Sequence, residues 1–283
     1  MHCLYDVPAP AKLNLFLHIT GRRGDGYHLL QSVFMLIDWH DSLHFELRAD
    51  GAISREDLAT PLPTDDLCTR AARALQAATG CTQGAHIAVH KRVPAQAGMG
   101  GGSSDAASTL LALNRLWRLR LTRAQLQAIG VGLGADVPFF LCPANAWVEG
   151  IGDIIRPLGL QHSIPAARFA VVKPAAGLDT KAIFSHPSLK RDFQCATISG
   201  FAAEHFHFGE NALQPVAKAL CPDVDQAIQW LTSKGLHARM TGSGSAVFAQ
   251  VTHAIDLHDA PNAWQVRMCE NLQIHPLSDW VAD

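Results

Sequence analysis

The sequence predicts a protein that mixes strands and helices in two domains. Apolar residues alternate with others over 13–19, which is typical of a strand with one buried face. Residues 67–79 instead carry apolar side chains at helical spacing. The pattern changes near 157–165, and the 283 residues, 48% of them hydrophobic, suffice for two modest cores. The predicted domains are 1–160 and 161–283.

The composition excludes several classes of function. The formal net charge is −2 at pH 7, so the chain lacks the global basic field of a nucleic-acid-binding protein. Its seven cysteines are scattered, odd in number and without a Cys-x-x-Cys pair, which favours a reduced setting. No apolar run is as long as a bilayer-spanning helix, and the first residues do not resemble a signal peptide. We therefore expect a cytoplasmic protein with no nucleic-acid or membrane partner. Either a monomer or a homodimer is expected, and the sequence does not decide between them.

A zinc site is not expected from the histidines. His205 and His207 share a face if they lie in a strand. No cysteine or acidic cluster near them completes a ligand set, and the chain holds 15 histidines, so such a pair is expected by chance.

The most informative segment is a glycine-rich loop between a predicted strand at 86–90 and a predicted helix. Four of the 22 glycines fall within 98–102. Glycine permits positive φ and close approach of a ligand, while the unpaired N–H groups at a helix start attract negative charge. Ser103, Ser104 and Asp105 are residues that cap helix N-termini. The loop therefore predicts an anion site, and the alternative is a plain turn.

This loop differs from two common nucleotide-binding signatures. No Gly-Lys-Ser/Thr follows its glycines, so it is not a Walker A box. Gly98-Met99-Gly100 is followed three residues later by Ser103 rather than glycine, so it is not a dinucleotide fingerprint.

Two charged residues stand in apolar surroundings. Lys12 shares one face of the first predicted strand with Asn14. Lys12 either extends to water or has a functional role, in which it is directed at a phosphate or has a shifted pKa. Asp136 caps a helix, pairs with a cation or acts as a base, because an aspartate is rarely buried without a partner. The residues alone leave these alternatives open.

Two turns carry further candidates. The turn at 21–28 joins the first two strands into a hairpin and ends in Tyr27 and His28, which offer a ring to stack and nitrogens to pair with a polar edge. Ordinary packing is the alternative for that pair. The turn at 241–245 joins two strand-like runs, either as a plain hairpin or as a second backbone cradle for phosphate.

Capping residues predict three helix starts, at Asp65 or Asp66, at Thr122 and at Asp223. The first of these helices should end at Gly80. The proline-containing segment 51–64 is predicted to be a loop.

Four segments in this order resemble the GHMP small-molecule kinase superfamily: 10–14, the glycine loop, 134–138 and 241–245. Gly26-Tyr27-His28 narrows the resemblance to the branch that phosphorylates a cytidine-diphosphate-linked methylerythritol in the non-mevalonate isoprenoid pathway. The resemblance spans almost the whole chain. It implies a two-domain α+β GHMP kinase fold, with an N-terminal nucleotide domain similar to a fold of ribosomal proteins, a C-terminal ferredoxin-like domain, and the site in the cleft.

The resemblance also implies roles for individual residues. Lys12 and Asp136 correspond to the catalytic lysine and aspartate, and the acceptor is expected to be the 2-hydroxyl. ATP, with Mg²⁺, is expected to contact Asp66, Lys91, Pro94, Ala95, Gln96, Ala97, Gly98, Met99, Gly100, Gly101, Gly102, Ser103 and Ser104. The substrate is expected to contact Asn14, Tyr27, His28, Thr180, Phe184, Gly242 and Ser243. Among these, His28 should hold the edge of the cytosine, and Tyr27 and Phe184 its faces.

The chain departs from the family pattern at three of these positions. Gln96 replaces the first glycine of Pro-x-Gly-x-Gly-Leu-Gly-Gly-Gly-Ser-Ser, and Met99 replaces the leucine. Replacing glycine by Gln96 costs little stability if φ at this position is negative. Asp66 replaces an asparagine near the adenine, and a carboxylate accepts hydrogen bonds but cannot donate them. Binding of the base should therefore depend more on backbone groups and on Lys91.

The expected chemistry is phosphoryl transfer, in which loop amides and Mg²⁺ hold the phosphates, Asp136 accepts or orients the hydroxyl proton, and Lys12 keeps Asp136 ionised. One alternative is another GHMP kinase, acting on homoserine, mevalonate or a sugar. Tyr27, His28 and Phe184 argue against it, because those substrates carry no nucleobase. The other is a non-catalytic nucleotide- or RNA-binding module, against which the missing basic stripe argues.

Overall fold

The structure, a computed structural model, describes residues 2–283 as two sheets with helices packed on them. The strands are β1 Cys3–Arg22, β2 His28–Arg48, β3 Ile53–Asp57, β4 Gly84–His90, β5 Ala146–Glu149, β6 Ile154–Pro157, β7 Arg168–Lys173, β8 Ala238–Met240, β9 Val247–Val251 and β10 Gln265–Glu270. The α-helices are α1 Leu67–Thr79, α2 Gly101–Leu116, α3 Arg123–Val131, α4 Val137–Phe140, α5 Thr180–Ser185, α6 Ile198–Glu204, α7 Gln214–Leu220 and α8 Pro222–Ser233. Within residues 2–283, none of these helices is both long and apolar enough to cross a membrane.

The first sheet contains the predicted hairpin. Its order is β3-β4-β2-β5-β6, with β1 paired antiparallel to β2. Residues 9–17 of β1 are all buried, not only those on one face. The strand lies between two apolar clusters, one containing Ala9 and the other containing Leu13 and Phe16. The alternative in which Lys12 extends to water is therefore wrong, since only 4% of this residue is exposed.

Two helix starts are confirmed. Asp66 is the N-cap of α1 and accepts from the backbone N–H groups of Cys68 and Thr69, and Gly80 ends the helix in the left-handed conformation. Thr122 is the N-cap of α3 in a complete capping box.

Two other local predictions are wrong. The segment 51–64 contains β3, which pairs in parallel with β4. Ile53 is its one apolar residue, so periodicity gave no strand signal. Helix α8 begins at Pro222, with Cys221 as N-cap and Asp223 inside the first turn. Proline suits the first helical position, and a carboxylate is favourable within the first turn as well as at the cap.

The second sheet has the order β10-β7-β9-β8, and its three strand pairings are antiparallel. Numbered along the chain from β7, this order is 4-1-3-2, the ferredoxin-like arrangement that was expected. Helix α8 packs on one face of it through Ala227 and Leu231. The predicted boundary after residue 160 falls between the last strand of the first sheet and the first strand of the second, and it stays a prediction.

The end of the chain returns to the first half. Backbone bridges join Asn271 to Ile37 and Ile274 to Ala144. Leu277 then joins the apolar cluster beneath α1 and α2. The last residues therefore cover the first sheet although they follow the second in sequence.

Candidate active site

The helix after the glycine loop begins earlier than its capping residues predict. Gly100 is the N-cap, with φ +72°, and α2 starts at Gly101. Ser103, Ser104 and Asp105 lie inside the helix, so the prediction that they cap it is wrong. No side chain among residues 2–283 caps α2, and the first N–H groups of a helix have no intrahelical partner. These groups remain available for an anion, which the helix dipole also favours.

Glycine at residue 100 is required by conformation and by space. Its positive φ lies in the left-handed region that other residues rarely adopt. A Cβ atom there would lie 2.8 Å from the ring of Phe140 and 3.4 Å from Cε of Lys12. The loop therefore passes directly over the predicted catalytic lysine.

The loop forms one wall of a cavity of about 490 Å³, which is within the usual size range of small-molecule sites. The start of α1 and the turn after β8 form other parts of its wall. Of the residues predicted to bind ATP, the cavity is lined by Asp66, Lys91, Pro94, Ala95, Gln96, Ala97, Gly98, Met99, Gly100, Gly101, Gly102 and Ser103. Two residues predicted to bind substrate, Thr180 and Ser243, also line it.

The turn at 241–245 is a hairpin turn that also holds the glycine loop. Ser245 donates its backbone N–H to the carbonyl of Gln96 over 3.1 Å, and Ala246 donates to Ala97 over 3.2 Å. Gly242 has φ +53°, and a Cβ atom there would lie 2.6 Å from the carbonyl oxygen of Gly98. The two turns are therefore in direct backbone contact, and the N–H groups of residues 245 and 246 are already used.

Gln96 adopts φ +51°. The condition under which its replacement of a glycine costs little is therefore not met. A non-glycine residue in this region costs about 1–2 kcal/mol. The hydrogen bond from Ser245 to its carbonyl helps to hold this conformation.

Lys12 is held from several sides. Its Nζ donates to Oδ1 of Asn14 over 2.5 Å and to the carbonyl of Gly98 over 3.0 Å, and lies 3.7 Å from Oδ2 of Asp136. The ring of Phe34 lies below it, 4.7 Å from Nζ to the ring centre. Burial lowers the pKa of Lys12, and the carboxylate of Asp136 opposes that shift.

Asp136 occupies the N-cap position of α4, but its side chain accepts no capping hydrogen bond. The capping alternative is therefore wrong for the carboxylate, which instead pairs with Lys12. Its side chain is 30% exposed, so the carboxylate remains accessible beside a buried ammonium. This is the arrangement that a proton acceptor or an orienting group for a hydroxyl requires.

Asn14 orients the lysine. Its Nδ2 donates to Oγ of Ser32 over 2.9 Å, and its backbone N–H donates to Oγ1 of Thr241 over 2.8 Å. With 1% of the residue exposed, its carboxamide is fixed with the oxygen toward Lys12. Its contact with substrate stays a prediction.

Lys91 bridges two buried carboxylates that sequence reasoning missed. Its Nζ donates to Oδ2 of Asp105 over 2.6 Å and to Oδ2 of Asp41. Burial, with repulsion from Asp41, raises the pKa of Asp105 to about 8 despite the attraction of Lys91. Lys91 also lines the cavity, and its contact with adenine stays a prediction.

Asp66 is engaged on both carboxylate oxygens. Oδ1 accepts from the backbone of Cys68 over 2.7 Å and of Thr69 over 3.2 Å. Oδ2 accepts from Oγ1 of Thr69 over 2.7 Å and pairs with Arg55. A contact with adenine, which also stays a prediction, would have to share one of these oxygens.

The residues predicted to hold the cytosine lie near one another, outside the lining of the cavity. The rings of His28 and Phe184 are 5.3 Å apart, and Tyr27 is 61% exposed at the turn before β2. Thr180, which lines the cavity and lies 2.7 Å from Ser243 between hydroxyl oxygens, begins the helix that carries Phe184. Helix α5 therefore connects the two regions.

Sequence reasoning missed Arg191. Its Nε donates to Nε2 of His28 over 2.9 Å, while its other nitrogens bind the carbonyls of Leu189, Phe184 and His186. Burial lowers the pKa of His28, and Arg191 lowers it further. No local motif surrounds Arg191, so no signal in the sequence could have identified it.

Comparisons with known proteins agree with this geometry. The family model described as GHMP kinases N terminal domain matches residues 66–143, and the one described as GHMP kinases C terminal matches 198–269. A curated protein of Acidovorax sp. (strain JS42), named 4-diphosphocytidyl-2-C-methyl-D-erythritol kinase, is 75% identical over 99% of this chain and 99% of its own. A protein of the same name from Paracidovorax citrulli (strain AAC00-1) is 70% identical over 100% of this chain and 99% of its own.

Solved structures of GHMP kinases also resemble this chain. A crystal structure of 4-(cytidine 5'-diphospho)-2C-methyl-D-erythritol kinase superposes with a TM-score of 0.76 at 29% identity, covering 93% of this chain and 98% of that one. Homoserine kinase from Cytophaga hutchinsonii ATCC 33406 gives 0.69 at 15% identity, covering 97% and 95%, and shares the fold alone. The chain belongs to the GHMP kinases, in the family of the 4-diphosphocytidyl-2-C-methyl-D-erythritol kinases.

Proposed function

We propose that this chain transfers the γ-phosphoryl group of ATP to the 2-hydroxyl of 4-diphosphocytidyl-2-C-methyl-D-erythritol, a step of the non-mevalonate isoprenoid pathway. The observation that carries the proposal is the Lys12–Asp136 pair, 3.7 Å apart, directly beneath a glycine loop that opens an uncapped helix. The full-length similarity to curated kinases of that name supports the choice of substrate.

ATP binds in the cavity of about 490 Å³, with its phosphates at the start of α2. The N–H groups of Gly101, Gly102 and Ser103 and the helix dipole hold the negative charge. Phosphoryl transfer needs positioning and charge neutralisation rather than a covalent intermediate, and a rigid loop of backbone donors supplies both.

Asp136 accepts or orients the proton of the acceptor hydroxyl. Lys12 stabilises the charge that develops on the transferred group. Asn14 and the carbonyl of Gly98 fix the ammonium so that no reorganisation is needed during the step.

The residues fit a Mg²⁺ ion bound mainly through ATP. Within residues 2–283 no group of three His, Cys, Asp or Glu side chains could hold a metal, and Mg²⁺ characteristically binds one or two protein groups with phosphates and water. In the part of the chain that the structure describes, the buried Oγ of Ser104, in the first turn of α2, has no hydrogen-bond partner, and Ser104 and Asp136 are the groups that would contact the ion. When bound, Mg²⁺ neutralises charge on the phosphate oxygens.

The cytidine group binds outside the cavity, at His28. Neutral His28 offers one ring nitrogen to the edge of the cytosine, while Tyr27 and Phe184 supply the faces. Thr180 and Ser243, whose hydroxyls are 2.7 Å apart, lie between this group and the phosphates.

The setting is proposed to be the cytoplasm. All seven cysteines, each within the described residues, are free thiols, as expected in a reducing compartment. The chain acts as a monomer or homodimer, which light scattering on a sizing column would decide.

The test is an assay of ADP release with Mg·ATP and the cytidylylated methylerythritol as acceptor. Matched reactions contain methylerythritol 4-phosphate without the cytidine group, homoserine or mevalonate. Turnover should require the cytidine group, and phosphorus NMR should show one new phosphomonoester. Equal turnover on homoserine or mevalonate would contradict the proposal.

A further inference from the structure

A second cavity, of about 180 Å³, lies on the C-terminal sheet, and its lining shares no residue with the cavity at the glycine loop. It is lined by Phe169, Phe206, His207, Gly235, Leu236, His237, Arg239, Phe248, Gln250 and Thr252. This lining contains one arginine and two histidines but no carboxylate. The function proposed above uses none of these residues.

Arg239 carries a buried charge without a counter-ion. The residue is 5% exposed, and its Nη1 donates to the carbonyls of Leu15 and Phe208 over 2.7 and 2.8 Å. Its Nη2 is buried without a partner, and its Nε donates to no residue within 2–283. Burial alone lowers the pKa of Arg239, because no carboxylate opposes the shift.

Two histidines lie at the rim of the cavity, where a neutral imidazole can donate one N–H to an anion. His207 and His237 are exposed, and their ring centres are 5.9 Å apart. Burial lowers the pKa of His237, and Arg239 and His207 lower it further, as expected for groups that share one unbalanced field. Gln250 and Thr252 supply neutral polar groups beside them.

An uncompensated buried charge is costly, and buried charges in proteins are normally paired. The carbonyls of Leu15 and Phe208 satisfy Nη1, which leaves the Nε–Nη2 edge of Arg239. That edge presents two parallel N–H groups, the arrangement that binds two oxygens of one anion. Imidazole donors from His207 and His237 would approach other oxygens of the same anion. Donors from several directions suit a tetrahedral oxyanion better than a planar carboxylate.

We propose that Arg239, His207 and His237 form a binding site for a small oxyanion of the phosphate class. A cavity of about 180 Å³ is smaller than the usual range for drug-sized ligands, so the occupant is inorganic phosphate or the phosphoryl end of a small ester. The site is separate from the glycine loop, and its existence does not depend on the proposed kinase reaction.

The test is histidine NMR on the intact chain, with inorganic phosphate and, separately, glycerol phosphate as probes. The Cε1–H signals of His207 and His237 should shift together and saturate with a Kd of about 1 mM or tighter. Saturation by inorganic phosphate assigns the site to the free ion, and saturation by glycerol phosphate alone assigns it to a phosphoryl ester. His253, nearby but outside the lining, is the matched control and should not shift. Acetate should leave all three signals unchanged.

Variants separate this site from the glycine loop. Arg239→Lys keeps a charge but loses the two-donor edge, and should weaken phosphate binding at least about tenfold. Because Arg239 also donates to backbone carbonyls, its replacement could disturb the fold, so a second variant is needed. The double variant His207→Ala/His237→Ala changes only exposed residues at the rim. In calorimetry it should lose phosphate binding at this site but still bind ADP. Unmoved signals in the parent chain, an equal response to acetate, or unchanged phosphate binding in the double variant would overturn the assignment.

Discussion

Arg191 donates a hydrogen bond from Nε to Nε2 of His28 over 2.9 Å. The arginine cannot give up its proton, so Nε2 of His28 must be the acceptor and the ring proton of the neutral imidazole lies on Nδ1. Three carbonyls in the segment 184–189 hold the guanidinium in turn. Arg191 therefore fixes both the tautomer of His28 and its position against Phe184.

The first prediction follows from this contact. Arg191→Leu should raise KM for the cytidylylated substrate roughly tenfold, because one charged hydrogen bond is worth about 1.5 kcal/mol, and should leave KM for ATP unchanged. Arg191→Lys should recover part of the loss. Lys190→Ala is the control, since Lys190 lies over Phe193 rather than against His28. Steady-state kinetics with each substrate varied would measure this, and an equal rise in both KM values would contradict a positioning role.

Asp136 provides the second prediction. Asp136→Asn keeps the size of the side chain but removes the charge, so kcat should fall about a hundredfold or more if the carboxylate takes part in proton transfer. Lys12→Met should act on the same step, and the double variant should lose less than the sum of the two. The thermal unfolding temperature of Asp136→Asn should also fall, because the buried ammonium of Lys12 would lose its carboxylate partner. Asp153→Asn, at an exposed turn, is the control, and unchanged turnover in Asp136→Asn would exclude the assigned role.

Parts of the fold and site governed by short-range chemistry were predictable. Asp66 and Thr122 cap the helices that they were expected to cap, because an N-cap bonds to backbone two or three residues away. The glycine loop was predictable for the same reason, since its conformational demand is local. Lys12 and Asp136, 124 positions apart, were brought together only by the family resemblance.

Contacts between distant segments were not predictable. Arg191 meets His28 across 163 positions, and Lys91 meets Asp41 across 50, with no periodic pattern to mark either pair. Gln96 likewise has a positive φ where its carbonyl accepts a hydrogen bond from the backbone N–H of Ser245. Ser245 lies on a turn of the second sheet, far away in sequence. Tertiary packing decided these features.

Gln96 gives the third prediction. Gln96→Gly should raise the free energy of unfolding by about 0.5–1 kcal/mol, because the relief of left-handed strain exceeds the entropy cost of glycine. Gln96→Ala is the matched variant, since it removes the amide but keeps the Cβ atom and the strain. Chemical denaturation of the three proteins would measure this. A stability gain equal in both variants would show that the amide rather than φ +51° is the source of the cost.

His275 gives the fourth prediction. Burial lowers its pKa to about 4, while its Nδ1 accepts from the backbone N–H of Leu277. The folded state thus binds the proton more weakly than the unfolded state, so stability present above pH 6.5 is lost as pH falls towards 4. From pH 8 to 5 the loss should be about 2 kcal/mol. Denaturation of His275→Asn, which keeps an acceptor near Nδ1, should lack this loss, whereas His258→Asn at the surface should retain it.

Asp105 should give a pH dependence of the opposite sign. Its folded pKa of about 8 lies above its unfolded value of 3.8, so the stability contributed by its proton is complete below pH 3.8 and is lost as pH rises through 8. Between pH 7 and 9 the free energy of unfolding should fall by about 1–1.5 kcal/mol. Asp105→Asn leaves Lys91 paired with Asp41 alone, a neutral pair, and should remove this slope, while Asp279→Asn at the surface should not. If the free energy of unfolding of Asp105→Asn still fell between pH 7 and 9, a group other than Asp105 would be releasing the proton.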